Sequence, residues 1–184
     1  MPGAKQAMRR RLRDEGFHGD DEAVCARILE DPWFAGAKTV MAFMAMPSEP
    51  DLDPVIREIL RQGKRLVLPR CEEGFRLSAR IVEDPDLLIP GVFGIREPGP
   101  ELPEADPADI DLILVPGMAF DGRGRRLGRG KGYYDRFLSD CPGRTMGICW
   151  HAAETVPVEE HDISVDAVVT EDAVIHCRTE GGAK

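Results

Sequence analysis

The segment LILVPGMAFDGRGRRLGRGKGYYDRFL, Leu112 to Leu138, constrains this chain more than any other stretch. It opens as a short apolar strand that Pro116-Gly117 breaks. Gly122 to Gly132 then holds five glycines, five basic side chains and one leucine. The amphipathic turn Tyr133 to Leu138 follows at once. Glycine lets a backbone lie against a ligand with no Cβ in the way, and it tolerates positive φ. Exposed amides leading into a helix, ringed by arginine and lysine, make a site for phosphate. A strand, such a loop and then a helix is how many α/β proteins hold nucleotides. The segment predicts a phosphorylated ligand.

With 184 residues, 42% of them hydrophobic, the chain is expected to form one domain over 1–184 with a real core. A net charge of −9 argues against generic affinity for nucleic acid or an anionic membrane, because the long-range field repels polyanions. Basic residues cluster only at the N-terminus and in the glycine loop. Cys25, Cys71, Cys141, Cys149 and Cys177 show no CxxC pairing, which reads as reduced thiols in a cytosolic protein. The opening MPGAKQAMRRRLRDEG has no apolar run for secretion, and no stretch approaches membrane-spanning length. A soluble, cytoplasmic protein is expected.

Hydrophobic periodicity predicts helices over Ala4–Glu15 and Asp21–Leu29, with Pro32 after the second. Thr39–Ala45 is a nearly continuous apolar run and predicts a buried strand. The next helix has Asp53 as its expected N-cap, Pro54 in its first turn, a stripe of Val55, Ile56, Ile59 and Leu60, and Gly63 as its stop. Further strands are expected at Arg65–Pro69, Arg76–Val82, Ile110–Val115, Thr145–Cys149 and Val165–Val169. The acidic, proline-rich Glu97–Asp109 reads as a surface crossing, and the terminal EGGAK is expected to fray. Strands alternating with helices predict a mostly parallel sheet covered on both faces, a three-layer α/β/α, Rossmann-like fold.

Two common phosphate loops fail on inspection. A Walker loop needs Ser or Thr after GxxxxGK, but Gly132 follows Gly130-Lys131, and Arg125 stands where the first glycine belongs. The dinucleotide fingerprint fails as well, since Gly128-Arg129-Gly130 is followed by Lys131-Gly132. RLGRGKGYYDRFL, Arg126–Leu138, preceded by LVPGMAFD, Leu114–Asp121, resembles instead the signature of the 5-formyltetrahydrofolate cyclo-ligase family. MPSEPDLDPVI (Met46–Ile56), GIREP (Gly94–Pro98) and HDISVDAVVTE (His161–Glu171) resemble further landmarks of that family.

The resemblance implies an ATP-dependent closure of the formyl group of 5-formyltetrahydrofolate onto the neighbouring nitrogen, giving the 5,10-methenyl bridge with release of ADP and phosphate. It implies ATP as co-substrate, Mg2+, a folate substrate and a monomer. It places Lys5, Arg9, Arg126, Leu127, Gly128, Arg129, Gly130, Lys131, Gly132, Tyr133 and Tyr134 around ATP, with Arg129 and Lys131 at the transferring phosphoryl group. Met44 and Glu49 go to the folate side, together with Arg129, Gly130, Lys131, Gly132 and Tyr133. Asp135 and Asp162 match its magnesium positions. Pro50 and Leu52 depart from the family's branched aliphatic and threonine. Trp150 and His151 depart from its usual aromatic there, and they receive no role. Phosphoryl transfer rests on alignment and charge neutralisation, and no Ser-His or Cys-His arrangement in the sequence calls for a protein nucleophile.

Each of these residues also has a plainer reading. The glycine loop alone reads as a solvated basic run, and Asp135 as a carboxylate favoured by a helix dipole. Lys5, Arg9 and Arg13 share a helical stripe whose like charges repel modestly unless an anion lies along it. Glu49 suits either the N–H donors of a pterin or the cap of the following helix. Tyr133 and Tyr134 are expected to divide between core and ligand. Two competing functions stand beside the cyclo-ligase: an RNA-binding module using the 123–134 run with stacking tyrosines, and a folate- or nucleotide-binding protein without turnover.

Overall fold

A computed structural model describes residues 2–177, so the expected fraying of EGGAK lies outside the described residues. In chain order the elements are α1 (Pro2–Glu15), α2 (Asp21–Glu30), α3 (Pro32–Gly36), β1 (Thr39–Met41), α4 (Asp53–Arg61), and the hairpin of β2 (Arg65–Glu72) and β3 (Arg76–Ile81). A small hairpin of β4 (Ile89–Pro90) and β5 (Arg96–Glu97) leads through the proline-rich crossing to β6 (Leu112–Pro116). The hairpin of β7 (Ala119–Phe120) and β8 (Arg126–Leu127) precedes α5 (Tyr133–Leu138), β9 (Arg144–Ile148), β10 (Ala167–Val169) and β11 (Val174–His176).

One seven-stranded sheet runs β11-β10-β9-β6-β1-β2-β3. The neighbours from β10 to β2 pair in parallel, and the two edge strands, β3 and β11, are antiparallel. The mostly parallel α/β expectation therefore holds, with antiparallel edges that a strand-by-strand reading does not reveal. Alternation along the strands sets the layers. Val40, Ala42, Leu66, Leu68, Leu112 and Leu114 face α2, α3 and α4. Met41, Val67, Ile113 and Val115 face the other way, onto Phe120 and the Phe137-Leu138 end of α5. The second layer is thin, since α5 has six residues and loops cover the rest.

Several boundaries differ from the sequence reading for local physical reasons. α4 does not use Asp53 as its cap. Asp53 is already inside the helix, Leu52 occupies the cap position with no side-chain bond, and the Asp53 amide donates to Asp51 Oδ1 at 3.0 Å. Leu52 is fully buried, so the departure from threonine exchanges a cap for core volume. Pro32 opens a further turn of helix instead of only ending α2, because Asp31 accepts from the Trp33 amide. β1 ends at Met41, although the Ala42 amide still donates to the Val67 carbonyl at 3.0 Å.

The chain order fixes where a site belongs. From β1 the chain passes to β2 and β3 on one side, and β6, β9 and β10 lie on the other. The reversal falls between β1 and β6, and a crevice opens there beyond the carboxyl ends of the strands.

Candidate active site

A cavity of about 710 Å3 occupies that crevice, within the range of small-molecule sites. Met44 and Glu49 reach it from the segment after β1, and Arg126 and Gly128 to Asp135 from the segment after β6. Lys5 and Arg9 come from α1, and Asp162 from the long connection before β10. Every residue expected around ATP, folate and magnesium lines this cavity except Leu127. That side chain is fully buried against Met8, Met118 and Val156, where it docks α1 on the β7–β8 hairpin.

The glycine run is therefore less of an open loop than its composition suggests. Arg126 and Leu127 pair with Ala119 and Phe120 in a ladder. Arg125 turns back on the fully buried Asp121, donating Nε–H to Oδ2 at 2.6 Å. What remains free to line the cavity is Gly128 to Gly132, with Gly130 at φ +99° and Gly132 at φ +71°. L side chains rarely adopt that region, so glycine is needed there to turn the chain into α5.

The cations arrive already engaged. Lys5 is 5% exposed, far from a solvated face, and its ammonium donates to Asp162 Oδ1 at 2.6 Å and Glu159 Oε2 at 3.1 Å. Arg126 donates to Asp135 Oδ2 at 2.8 Å, and Arg129 to Glu49 Oε1 at 2.8 Å and Ser48 Oγ at 2.5 Å. Arg9 lends its Nε–H to the Gly128 carbonyl at 2.8 Å, pinning α1 to the loop. Lys131 is exposed, with its ammonium 5.4 Å from the ring centre of Phe75 and no carboxylate in an ion pair with it among the described residues. Arg13 is exposed and takes no part in the cavity.

The two expected magnesium carboxylates are neighbours through the backbone: Asp135 Oδ1 accepts from the amide of Ile163, the residue after Asp162. Burial works to raise the Asp162 carboxyl, but bonds from Lys5 and the Glu159 amide outweigh it and hold it below the usual carboxylate range. Glu159, His161 and Asp162 offer ligand atoms within 4.8 Å of one another, and all three line the cavity. A hard cation that takes one or two carboxylates and keeps waters suits this donor set. Glu159 was missed in the sequence. Its signal was its place two residues before the His161 landmark.

Glu49 lines the cavity but does not cap α4, whose cap position is Leu52 with no side-chain bond. Oε2 accepts from the Met46 amide at 3.0 Å and closes the 46–49 turn, while Oε1 faces Arg129. The tyrosines do not divide between core and ligand, because both line the cavity. Tyr133 meets Phe75 and Phe93 edge-on at 5.8 and 6.2 Å. The Tyr134 ring lies 5.7 Å from the Arg126 guanidinium, and burial first, then Glu49, pushes its phenol above the ordinary range. Cys71 and Phe93, which also line the cavity, escaped the sequence reading because they arrive from two separate hairpins, β2–β3 and β4–β5. Trp150 donates to Asp21 Oδ1 at 2.7 Å, away from this cavity.

Four buried side-chain polar atoms among the described residues lack a hydrogen-bond partner: Arg70 Nε, Glu97 Oε1, Arg126 Nε and Tyr134 OH. Glu97, Arg126 and Tyr134 line the cavity. Unpaired buried polar atoms are costly, and three of these four belong to residues of the cavity wall.

Residues 5–171 match the profile of the 5-formyltetrahydrofolate cyclo-ligase family. A probable 5-formyltetrahydrofolate cyclo-ligase of Caenorhabditis elegans is 32% identical, over 90% of this chain and 88% of its own. The 5-formyltetrahydrofolate cyclo-ligase of Escherichia coli K12 is 31% identical, over 90% of this chain and 96% of its own. The NMR structure of Aquifex aeolicus 5,10-methenyltetrahydrofolate synthetase superposes with a TM-score of 0.84 at 35% identity. That superposition covers 98% of this chain and 96% of the other.

Proposed function

The chain belongs to the 5-formyltetrahydrofolate cyclo-ligase family, and from that premise we propose that it is the ATP-dependent enzyme converting 5-formyltetrahydrofolate to 5,10-methenyltetrahydrofolate. The observation that carries this reading is convergence. Phosphate-binding cations, two metal-type carboxylates and the folate-side pair Met44 and Glu49 line one cavity at the switch point of the sheet.

The formyl oxygen is amide-like and leaves poorly. When it attacks the terminal phosphorus of ATP, ADP departs with the electrons of the broken P–O bond, and the formyl carbon then carries a phosphate leaving group. The neighbouring folate nitrogen adds to that carbon and loses its proton. The C–O bond breaks, phosphate leaves, and the methenyl bridge remains. Alignment and charge neutralisation do this work. Arg126, Arg129 and Lys131, with the amides of Gly128, Gly130 and Gly132, grip the triphosphate. Lys131, which makes no ion pair among the described residues, stabilises charge on the transferring group. Asp135 and Asp162 would hold Mg2+, which supplies positive charge to the phosphate oxygens.

The ion pairs give the site a built-in order of events. Lys5 and Arg126 neutralise Asp162 and Asp135. When the triphosphate binds, Lys5 and Arg126 can turn to its phosphates, and Asp162 and Asp135 would then be the groups to hold Mg2+. Desolvated charge is never left alone.

Binding of RNA along the 123–134 run has little left to recommend it. Arg125 is tied to Asp121, Arg126 to Asp135 and Arg129 to Glu49, and Leu127 is core. Among the described residues no helix is long and apolar enough to cross a membrane, and Cys25, Cys71, Cys149 and Cys177 are free thiols. A monomer of one domain in the cytoplasm stays part of the proposal. Mixing the protein with 5-formyltetrahydrofolate, ATP and magnesium should produce the near-ultraviolet band of the methenyl product. Folded protein that yields no such band refutes the assignment, and folate binding without that band would favour a binding protein that does not turn over.

A further inference from the structure

Glu97 is a carboxylate whose own surroundings leave it half served. It sits on the two-residue strand β5, is 4% exposed and lines the cavity. Its Oε1 is shut away from solvent with no hydrogen-bond partner among the described residues. Its Oε2 stands 4.0 Å from Arg70 Nη1, yet that nitrogen donates to the Pro98 carbonyl at 2.8 Å instead. Glu49, the other buried acid facing the cavity, has both oxygens in use.

The surroundings describe what the free oxygen should meet. Phe93 and Tyr133 stand edge-on to each other beside it. The Cys71 thiol is pushed up to about 12 by burial first and then by the charge of Glu97 and a hydrogen bond to it, so it stays protonated as a weak donor beside the carboxylate. Gly91 clears space behind the carboxylate: a Cβ there would fall 2.3 Å from Glu97 Cγ. An aromatic-walled slot with a buried acceptor repels phosphate oxygens and suits a flat heterocycle that presents adjacent N–H donors. The pterin of a reduced folate carries such an edge, its 2-amino group beside N3–H.

We propose that Glu97 determines specificity for the folate ring, its carboxylate accepting from the 2-amino and N3–H edge, in addition to Glu49. The inference rests on the folate reading above and deepens it. Glu97→Gln keeps the size of the side chain but turns a donor toward donors.

The test measures folate and ATP separately. Glu97→Gln should raise KM for 5-formyltetrahydrofolate, and its Kd by calorimetry without nucleotide, by roughly tenfold or more, as expected for losing a charged acceptor. KM for ATP should stay within about twofold, a split that a general structural role does not produce. Gly91→Ala, which displaces Glu97, should give the same split. A folate analogue with hydrogen in place of the 2-amino group should bind the wild type about tenfold more weakly and distinguish little between wild type and Glu97→Gln. Wild-type protein that binds analogue and folate equally overturns the inference even if neither variant folds. Normal wild-type turnover with unchanged folate affinity in Glu97→Gln overturns it while leaving the cyclo-ligase reading intact. Parallel loss of folate affinity, ATP affinity and melting temperature assigns Glu97 to the fold and also overturns it. Wild-type protein that neither binds folate nor forms product brings down both.

Discussion

Lys5 and Asp162 stand 157 positions apart in the chain and meet directly, Nζ to Oδ1 at 2.6 Å, beside Glu159 and largely out of water. Their contact joins α1 to the connection before β10, so it closes one wall of the cavity. It also joins a residue expected on the nucleotide to one expected on the metal.

That pair has a signed pH dependence. The folded Asp162 carboxyl lies below its ordinary value because Lys5 and the Glu159 amide outweigh the opposing effect of burial. A depressed carboxylate stabilises the fold fully above its unfolded pKa of about 4 and loses that contribution as pH falls through the lower folded value. Urea midpoints of wild type and Asp162→Asn should differ by a constant amount from pH 7 to about 5 and converge below about pH 4. A gap independent of pH down to 2 contradicts the pairing.

Asp135→Asn should shift the magnesium titration of turnover to higher concentration, because one carboxylate leaves the metal site and Arg126 loses its 2.8 Å partner. An unchanged titration removes Asp135 from that site.

Lys131→Ala should cut kcat by about a hundredfold or more, the scale of losing one positioned charge at a developing anion, while folate Kd moves by less than about threefold. Lys131 makes no ion pair with a carboxylate among the described residues, and its ammonium lies over the ring of the exposed Phe75. Equal loss of both quantities contradicts its place at the phosphoryl group.

Asp121→Ala tests the scaffold rather than the chemistry. The fully buried carboxylate accepts from the amides of Arg123, Arg125 and Val156 and from Arg125 Nε. Removing it leaves several donors unserved and should cost about 3 kcal/mol or more of unfolding free energy. A loss under about 1 kcal/mol would show that the ladder alone holds the β7–β8 turn.

The chain has two tyrosines, Tyr133 and Tyr134. Burial is the first cause holding both phenols above the ordinary value, far more so for Tyr134. Alkaline absorbance titration of folded protein should lag free tyrosine beyond pH ~10, and stability should fall as pH rises from there, because the unfolded state ionises first. Titration of both rings at the free value refutes the burial of Tyr134.

Local pattern carried much of the fold. The apolar runs at Thr39, Arg65, Ile110, Thr145 and Val165 all contain strands, because a strand buried on both faces of a parallel sheet leaves a short continuous apolar run. The Arg126–Leu138 motif likewise reported the glycine turn into α5 and one continuous wall of the cavity. Short paired segments such as β4, β5, β7 and β8 left no such trace, since two residues are too few to show a period.

Which charges meet is a different kind of information. Arg126 with Asp135 and Lys5 with Asp162 each join a residue that sequence reading sent to ATP to one that it sent to magnesium, and Arg129 with Glu49 joins two that it sent to folate without pairing them. Hydrophobic spacing dictates which side of a strand or helix turns inward, and it does so one segment at a time. Strand order alone brought the ends of β1 and β6, α1 and the 159–163 connection to one crevice. Ion pairing and the orphaned Glu97 oxygen depend on distances between segments, and those exist only once the sheet is assembled.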